Sequence, residues 1–283
     1  MRFDATGKVS LDHIYTQPDP RAYFTQLRRL DYRVPQEAKP YFAKFIEEYR
    51  EARGVEVPKI LDVGCSYGIN AALLKYDVTM DALYARYHDE RAGAEGAAPA
   101  ETTAALLARD RKLARSHLPA RRTRFLGLDT SASALAYALE AGFLDEVVQA
   151  DLEQDEPTEH QRARFAGTDL VISTGCIGYV TERTLTRIVR SMGEHRPWMA
   201  HFVLRMFPFD PVEQALAQLG YETVRFDEVH KQRRFASRDE QALVLKTMRE
   251  AGVDPRGLEE EGWLYAQLHL SRPAGAGLSG PSA

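Results

Sequence analysis

Short apolar runs bounded by polar or turn residues recur at 60–63, 124–129, 142–151, 168–173 and 198–206, each followed by a stretch with apolar positions at helical spacing. That alternation predicts strand and helix in turn, and therefore parallel strands with crossover helices. Thr168-Asp-Leu-Val-Ile-Ser173 is apolar on successive residues, as a strand covered on both faces should be, and is expected at the sheet's centre. Two further strands are expected at 222–229 and 263–270, separated by a helix over 239–250 and forming an antiparallel edge. The fold class expected is α/β, with a doubly wound, seven-stranded, mostly parallel sheet.

Three segments stand outside that rhythm. Residues 1–57 carry two helical patterns: Tyr23, Phe24, Leu27 and Leu30 after Pro20, then Ala38, Phe42, Phe45, Ile46 and Tyr49 after Pro35, ending at Arg53-Gly54. Between the first strand and the second, residues 77–122 read as an inserted helical pair with a glycine- and alanine-rich link. Its second half is basic, but Leu106, Leu107, Leu113 and Ala114 form an apolar stripe that leaves the charges on a solvated face. The tail, 273–283, is expected to be disordered, and the core domain spans 58–272.

The first strand runs into Asp62-Val-Gly64-Cys-Ser66-Tyr-Gly68-Ile-Asn70, with glycines where backbone can approach a ligand and a helix start beyond them. A dinucleotide fingerprint would read G-x-G-x-x-G, and this loop does not. An acid two residues before the first glycine resembles motif I of the class I S-adenosylmethionine-dependent methyltransferases, with Ser66 in place of the middle glycine. Gly127-Leu-Asp129-Thr130-Ser resembles their motif II, although Asp129 follows the loop at far more than the usual spacing of about 20 residues. The resemblance covers roughly 59–207 and implies a Rossmann-like methyltransferase fold with S-adenosyl-L-methionine as cofactor. By that resemblance Asp62 meets the cofactor's amino group, Asp129 its ribose, and Asp151, with the Leu152 amide, its adenine. Gly64, Ser66, Gly68, Asn70, Thr130 and Thr174 complete the expected cofactor set.

In related small-molecule enzymes N-terminal helices lie over the acceptor, so 1–57 is expected to be a lid with Tyr15, Tyr23 and Tyr32 facing it. Cys176, Tyr179, Arg205 and Phe207, on the loops after the fourth and fifth strands, are the other acceptor candidates, Arg205 for a carboxylate and Phe207 for a ring. Tyr179, His13 and His230 are candidates for a base, although a displacement at a sulfonium methyl depends chiefly on alignment. The loop after the fourth strand is not the Asn-Pro-Pro-Tyr run used on nucleobase or glutamine amines, and no acid cluster marks a metal. A small, aromatic or indole-like natural-product metabolite is the expected acceptor. The alternatives are a nucleic-acid methyltransferase, resting on the basic insertion, and a cofactor-binding protein without turnover.

With 37 Lys and Arg against 41 Asp and Glu, the net charge of −4 gives no reason to expect a nucleic-acid or membrane partner. The N-terminus lacks the apolar core of a signal peptide, and Cys65 and Cys176 lack the spacing of a disulfide framework, so a cytoplasmic location is expected. A homodimer is left open.

Overall fold

The computed structural model describes residues 3, 4, 6–87, 102–116 and 122–276. In chain order the elements are α1 (Asp12–Tyr15), α2 (Arg21–Arg29), α3 (Val34–Arg53), β1 (Lys59–Val63), α4 (Ile69–Lys75), α5 (Met80–Tyr87), α6 (Thr103–Ser116), β2 (Arg124–Asp129) and α7 (Ala132–Ala141). There follow β3 (Glu146–Gln149), α8 (Glu159–Phe165), β4 (Leu170–Thr174), α9 (Glu182–Arg190), β5 (Trp198–Leu204), α10 (Asp210–Ala217), β6 (Tyr221–Arg234), α11 (Arg238–Glu250) and β7 (Trp263–Pro273). The seven strands form one sheet in the order β3-β2-β1-β4-β5-β7-β6. The first five are parallel, and β7 is antiparallel to both its neighbours. The direction of winding reverses between β1 and β4, which opens a crevice at their carboxyl ends.

Side chains alternate across the sheet. Ile60, Phe125, Leu170 and Trp198 face α3, α4 and α7, while Leu61, Leu126, Val171 and Met199 face α8, α9 and α10. The predicted stripe of α3 is buried as expected, but against the sheet. Phe42 meets Phe202 edge-on at 5.5 Å between centroids and Tyr49 meets Trp198 at 5.2 Å. Proline in the first turn of α3 and a left-handed Gly54 beyond its last turn set its limits. Thus α3 is a layer of the core, and the segment lying over the sheet's carboxyl edge is shorter than the lid expected over 1–57.

That shorter segment packs on the insertion. Ile14, Tyr23, Phe24 and Leu27 join Tyr67, Leu83, Tyr84, Tyr87 and Tyr137 in a separate buried cluster, in which Phe24 and Tyr87 stack at 4.3 Å. Between β1 and β2 lie the helices α5 and α6, with 88–101, where the glycine- and alanine-rich link was expected, and 117–121 outside the described residues. Asp110 on α6 is fully buried and accepts from Arg86, Tyr87 and Tyr137, tying α6 to α5 and α7. Several of its basic residues pair with acids: Arg111 with Glu140 and Arg122 with Glu56. The tail from 277 onward also lies outside the described residues.

The edge strand β6 runs past its predicted end at 229 to Arg234, with register shifts between Arg225 and Val229 and between Lys231 and Arg233. It runs parallel to β5, so its extra residues reach the carboxyl edge, where the crevice lies.

Candidate active site

Asp62 is fully buried in β1. Its Oδ1 accepts from Asn70 Nδ2 at 3.0 Å, and the same amide reaches Thr174 Oγ1 at the end of β4 at 3.2 Å. Asp62 Oδ2, Asn70 Oδ1 and Ser66 Oγ are buried without a hydrogen-bond partner. Burial raises the Asp62 carboxyl to about 7, opposed by the Asn70 hydrogen bond and reinforced by the Asp129 charge. A Cβ on Gly64 would sit 2.8 Å from Cys176 Cβ, so the loops after β1 and β4 touch. Ser66, where the motif carries glycine, takes the left-handed conformation with φ of 50°. Its backbone N–H donates to Asp129 Oδ2 at 2.8 Å, while Asp129 Oδ1 accepts from Ser131 N at 2.9 Å. Both oxygens of Asp129 therefore hold loop backbone and retain lone pairs toward a ligand.

Gly64, Ser66, Asn70, Asp129, Thr174 and Cys176 line a cavity of about 450 Å³; Asp62 is not in that lining and is joined to it through Asn70. The cavity floor includes Gly64, Ser66, Asn70, Asp129, Thr130 and Thr174 from the expected cofactor set; its walls include Tyr15, Tyr23, Tyr32, Cys176 and Tyr179 from the acceptor set. Other expected residues lie elsewhere. Gly68 faces Phe143 and Leu144 beneath α7. Asp151 is exposed, closing its own turn onto Glu153 N and Gln154 N, and Leu152 is buried in the cluster around α9. Arg205 is bound to Glu259 and to the Asp254 carbonyl, so it is not free to take a carboxylate in the cavity. Phe207 supports the Tyr179 ring from outside the lining, at 5.9 Å.

Of the three base candidates only Tyr179 reaches the cavity. Its hydroxyl donates to Asp4 Oδ2 at 2.5 Å, and burial followed by that bond pushes its pKa up, which keeps it a neutral phenol. His13 is exposed on α1, and His230 is wedged between Tyr41 and Phe202 on the α3 side of the sheet. Cys176 donates to the Val63 carbonyl, and burial lifts its thiol to about 12; Cys65 is raised as well. Neither is poised as a thiolate. The hydrogen-bonded Ser173 and His201 are sealed within the sheet, where burial drives the imidazole down to about 3.

Five parallel strands, a reversed seventh strand inserted before the sixth, and acids at the ends of β1 and β2 over one crevice decide the fold. It is the class I methyltransferase fold. No family model and no curated protein matches the sequence. Among solved structures, the chain is similar to the plantazolicin methyltransferase BpumL in complex with SAH, at 11% identity over 92% of this chain and 93% of that one, with a TM-score of 0.45. It is similar also to the [4+2]-cyclase SpnF, at 12% identity over 82% and 81% with a TM-score of 0.39. A TehB-like SAM-dependent methyltransferase from Corynebacterium glutamicum shows 14% identity over 83% and 98%, with a TM-score of 0.38.

Within this methyltransferase fold, four cavity residues had no local signal in the sequence: Asp4, Lys8, Gln232 and Arg233. Residues 3, 4 and 6–10 belong to a strap, closed by a bridge between Phe3 and Val9 and by Asp4 Oδ1 accepting from Thr6 and Lys8 backbone N–H groups. Val9 N–H donates to Glu240 Oε1 at 2.7 Å, and Glu240 is gripped by both terminal nitrogens of Arg233. The strap is thereby fastened to α11 and β6. Tyr67, inside the glycine loop, donates to the carbonyls of Ile14 and Gln17 and holds α1 down on the same side.

Proposed function

We propose that the chain transfers the methyl group of S-adenosylmethionine to a small, aromatic or indole-like acceptor. The observation that carries this reading is the set of unpaired acceptors at the end of β1. A buried carboxylate oxygen and a buried amide oxygen, Asp62 Oδ2 and Asn70 Oδ1, cost roughly 1–3 kcal/mol each when left unsatisfied. An ammonium group supplies donors of the kind these acceptors lack. The Asp129 carboxylate, in the cavity that Asn70 also lines, suits a diol, and Thr130 and Ser131 continue that wall.

The residues present therefore fit the cofactor. When bound, it supplies an activated methyl on sulfur. The chain's part is to hold, orient and exclude water: Asp62 and Asn70 hold the amine, Asp129 the ribose, and Tyr15, Tyr23 and Tyr32 supply an aromatic wall for a flat acceptor. Alignment of this kind accounts for about 7–11 kcal/mol of barrier lowering in favourable cases, without a strong base. The pairing of insertion arginines with Glu140 and Glu56 supports the small-molecule reading over a nucleic-acid one.

Calorimetric titration with S-adenosylhomocysteine, beside NAD and ATP, tests the proposal. Micromolar binding of the homocysteine compound alone is expected. Preference for NAD, or binding of none, would reject the cofactor and with it the reaction.

A further inference from the structure

Two basic side chains line the cavity, Lys8 and Arg233, and their electrostatic situations differ. Arg233 is neutralised by Glu240 through two hydrogen bonds and donates a third to its neighbour's carbonyl. Lys8 is 7% exposed, and among the described residues its ammonium has no hydrogen-bond or ion-pair partner. It lies instead over two rings, 5.0 Å from the Tyr179 centroid and 5.8 Å from that of Phe207. Such faces orient a cation without cancelling its charge. The nearby carboxylate, Asp4, acts on Lys8 through its charge, but its oxygens serve other donors: Oδ1 accepts from the Thr6 backbone and hydroxyl and the Lys8 backbone, and Oδ2 from Tyr179.

The platform under Lys8 is itself built closely. Gly178 has φ of 111°, and a Cβ there would lie 2.4 Å from the Phe207 ring, so the loop after β4 can seat that ring only with glycine. Both rings come from the loops following β4 and β5, whereas the unpaired acceptors for the cofactor's amine lie at the end of β1. The ammonium therefore addresses the acceptor's part of the cavity. What Lys8 offers is a set of N–H donors that no described residue takes, and one carboxylate can accept them; a dianion would add a second buried charge beside Asp4.

Resting on the methyltransferase reading, we propose that Lys8 binds a carboxylate of the acceptor, so that the substrate class is an aromatic or indolic carboxylic acid. This is the task the sequence pattern gave to Arg205. Lys8 positions the acid by its far end and leaves the ring between the tyrosines.

The test uses the full chain saturated with S-adenosylhomocysteine and aromatic and indolic acids, including benzoate and indole-3-acetate, each titrated beside its primary amide. At least one acid is expected to bind tenfold or more tightly than its amide. That preference should vanish in Lys8→Met and return in part in Lys8→Arg, with homocysteine-compound affinity within twofold of the parent in both. No preference for any acid in the parent chain would overturn the assignment. So would a tenfold loss of S-adenosylhomocysteine affinity in Lys8→Met, which would give the cation to the cofactor's own carboxylate. If the parent fails to bind S-adenosylhomocysteine, the methyltransferase reading falls; the acid-over-amide comparison on the ligand-free chain still decides whether Lys8 is an anion site.

Discussion

Ser66 shows how a motif can lose a glycine and keep its shape. The residue adopts the left-handed backbone that glycine would supply, at a strain of about 1–2 kcal/mol. Ser66→Gly should therefore leave S-adenosylhomocysteine affinity unchanged, whereas β-branched Ser66→Val should lower both melting temperature and affinity; equal behaviour of the two by scanning calorimetry and titration would mean the backbone there is not constrained. Asp62 supplies a pH signature. Without ligand its carboxyl titrates near 7, so below that pH it is largely protonated. A cation bound beside it favours the ionised form, and binding must then expel a proton. Affinity should fall by up to about tenfold for each pH unit below 7 and level off above it. A flat profile between pH 5.5 and 8, or no proton release across buffers of different ionisation enthalpy, would separate Asp62 from the amine. Asp129→Ala should weaken binding at least tenfold, since the loop amides of Ser66 and Ser131 lose their acceptor along with the diol.

At the level of elements, the sequence told which faces are apolar and was silent on what covers them. The stripe on α3 reads the same whether it closes a lid or caps a sheet, and only long-range pairing with Phe202 and Trp198 settles it. The same limit hid Lys8 and Arg233. The place of Lys8 depends on a strap held by Glu240, more than 200 residues away, and that of Arg233 on the register shifts in β6. The acids ending β1 and β2 were legible because a strand running into a turn and a helix fixes their position locally, even across a long insertion. Removing Met1–Ser10 should spare the fold and S-adenosylhomocysteine binding, costing about 1–3 kcal/mol for the buried Val9 and its hydrogen bond. Removing residues through Arg33 would also take Ile14, Tyr23, Phe24 and Leu27 from the cluster around Tyr67, and loss of cooperative unfolding is expected for that shorter chain. Asp110→Ala should destabilise by about 3–5 kcal/mol in urea unfolding, because Arg86 is left partly buried without its partner. A loss under 1 kcal/mol would show that the insertion is not anchored through that carboxylate.

Across the whole molecule, ligand binding and stability are linked. S-adenosylhomocysteine at a hundred times its dissociation constant adds about 2.7 kcal/mol, which in a chain of this size raises the melting temperature by roughly 5–10 °C. NAD at the same concentration should leave it unchanged. The winding and the central place of β4 were readable from the alternation of runs, since short crossovers and a reversed last pair leave few arrangements. What alternation left unsaid is that β7 separates β5 from β6. That placement has a consequence during synthesis. As the nascent chain emerges, β6 has no strand to pair with until Trp263–Pro273 has been made, and until then β5 presents an open edge beside the aromatic face of α3. Folding must therefore wait for contacts of high sequence separation, the slow kind, with an unpaired and largely apolar strand exposed meanwhile. Chains stalled before Trp263 are the species that a chaperone would hold.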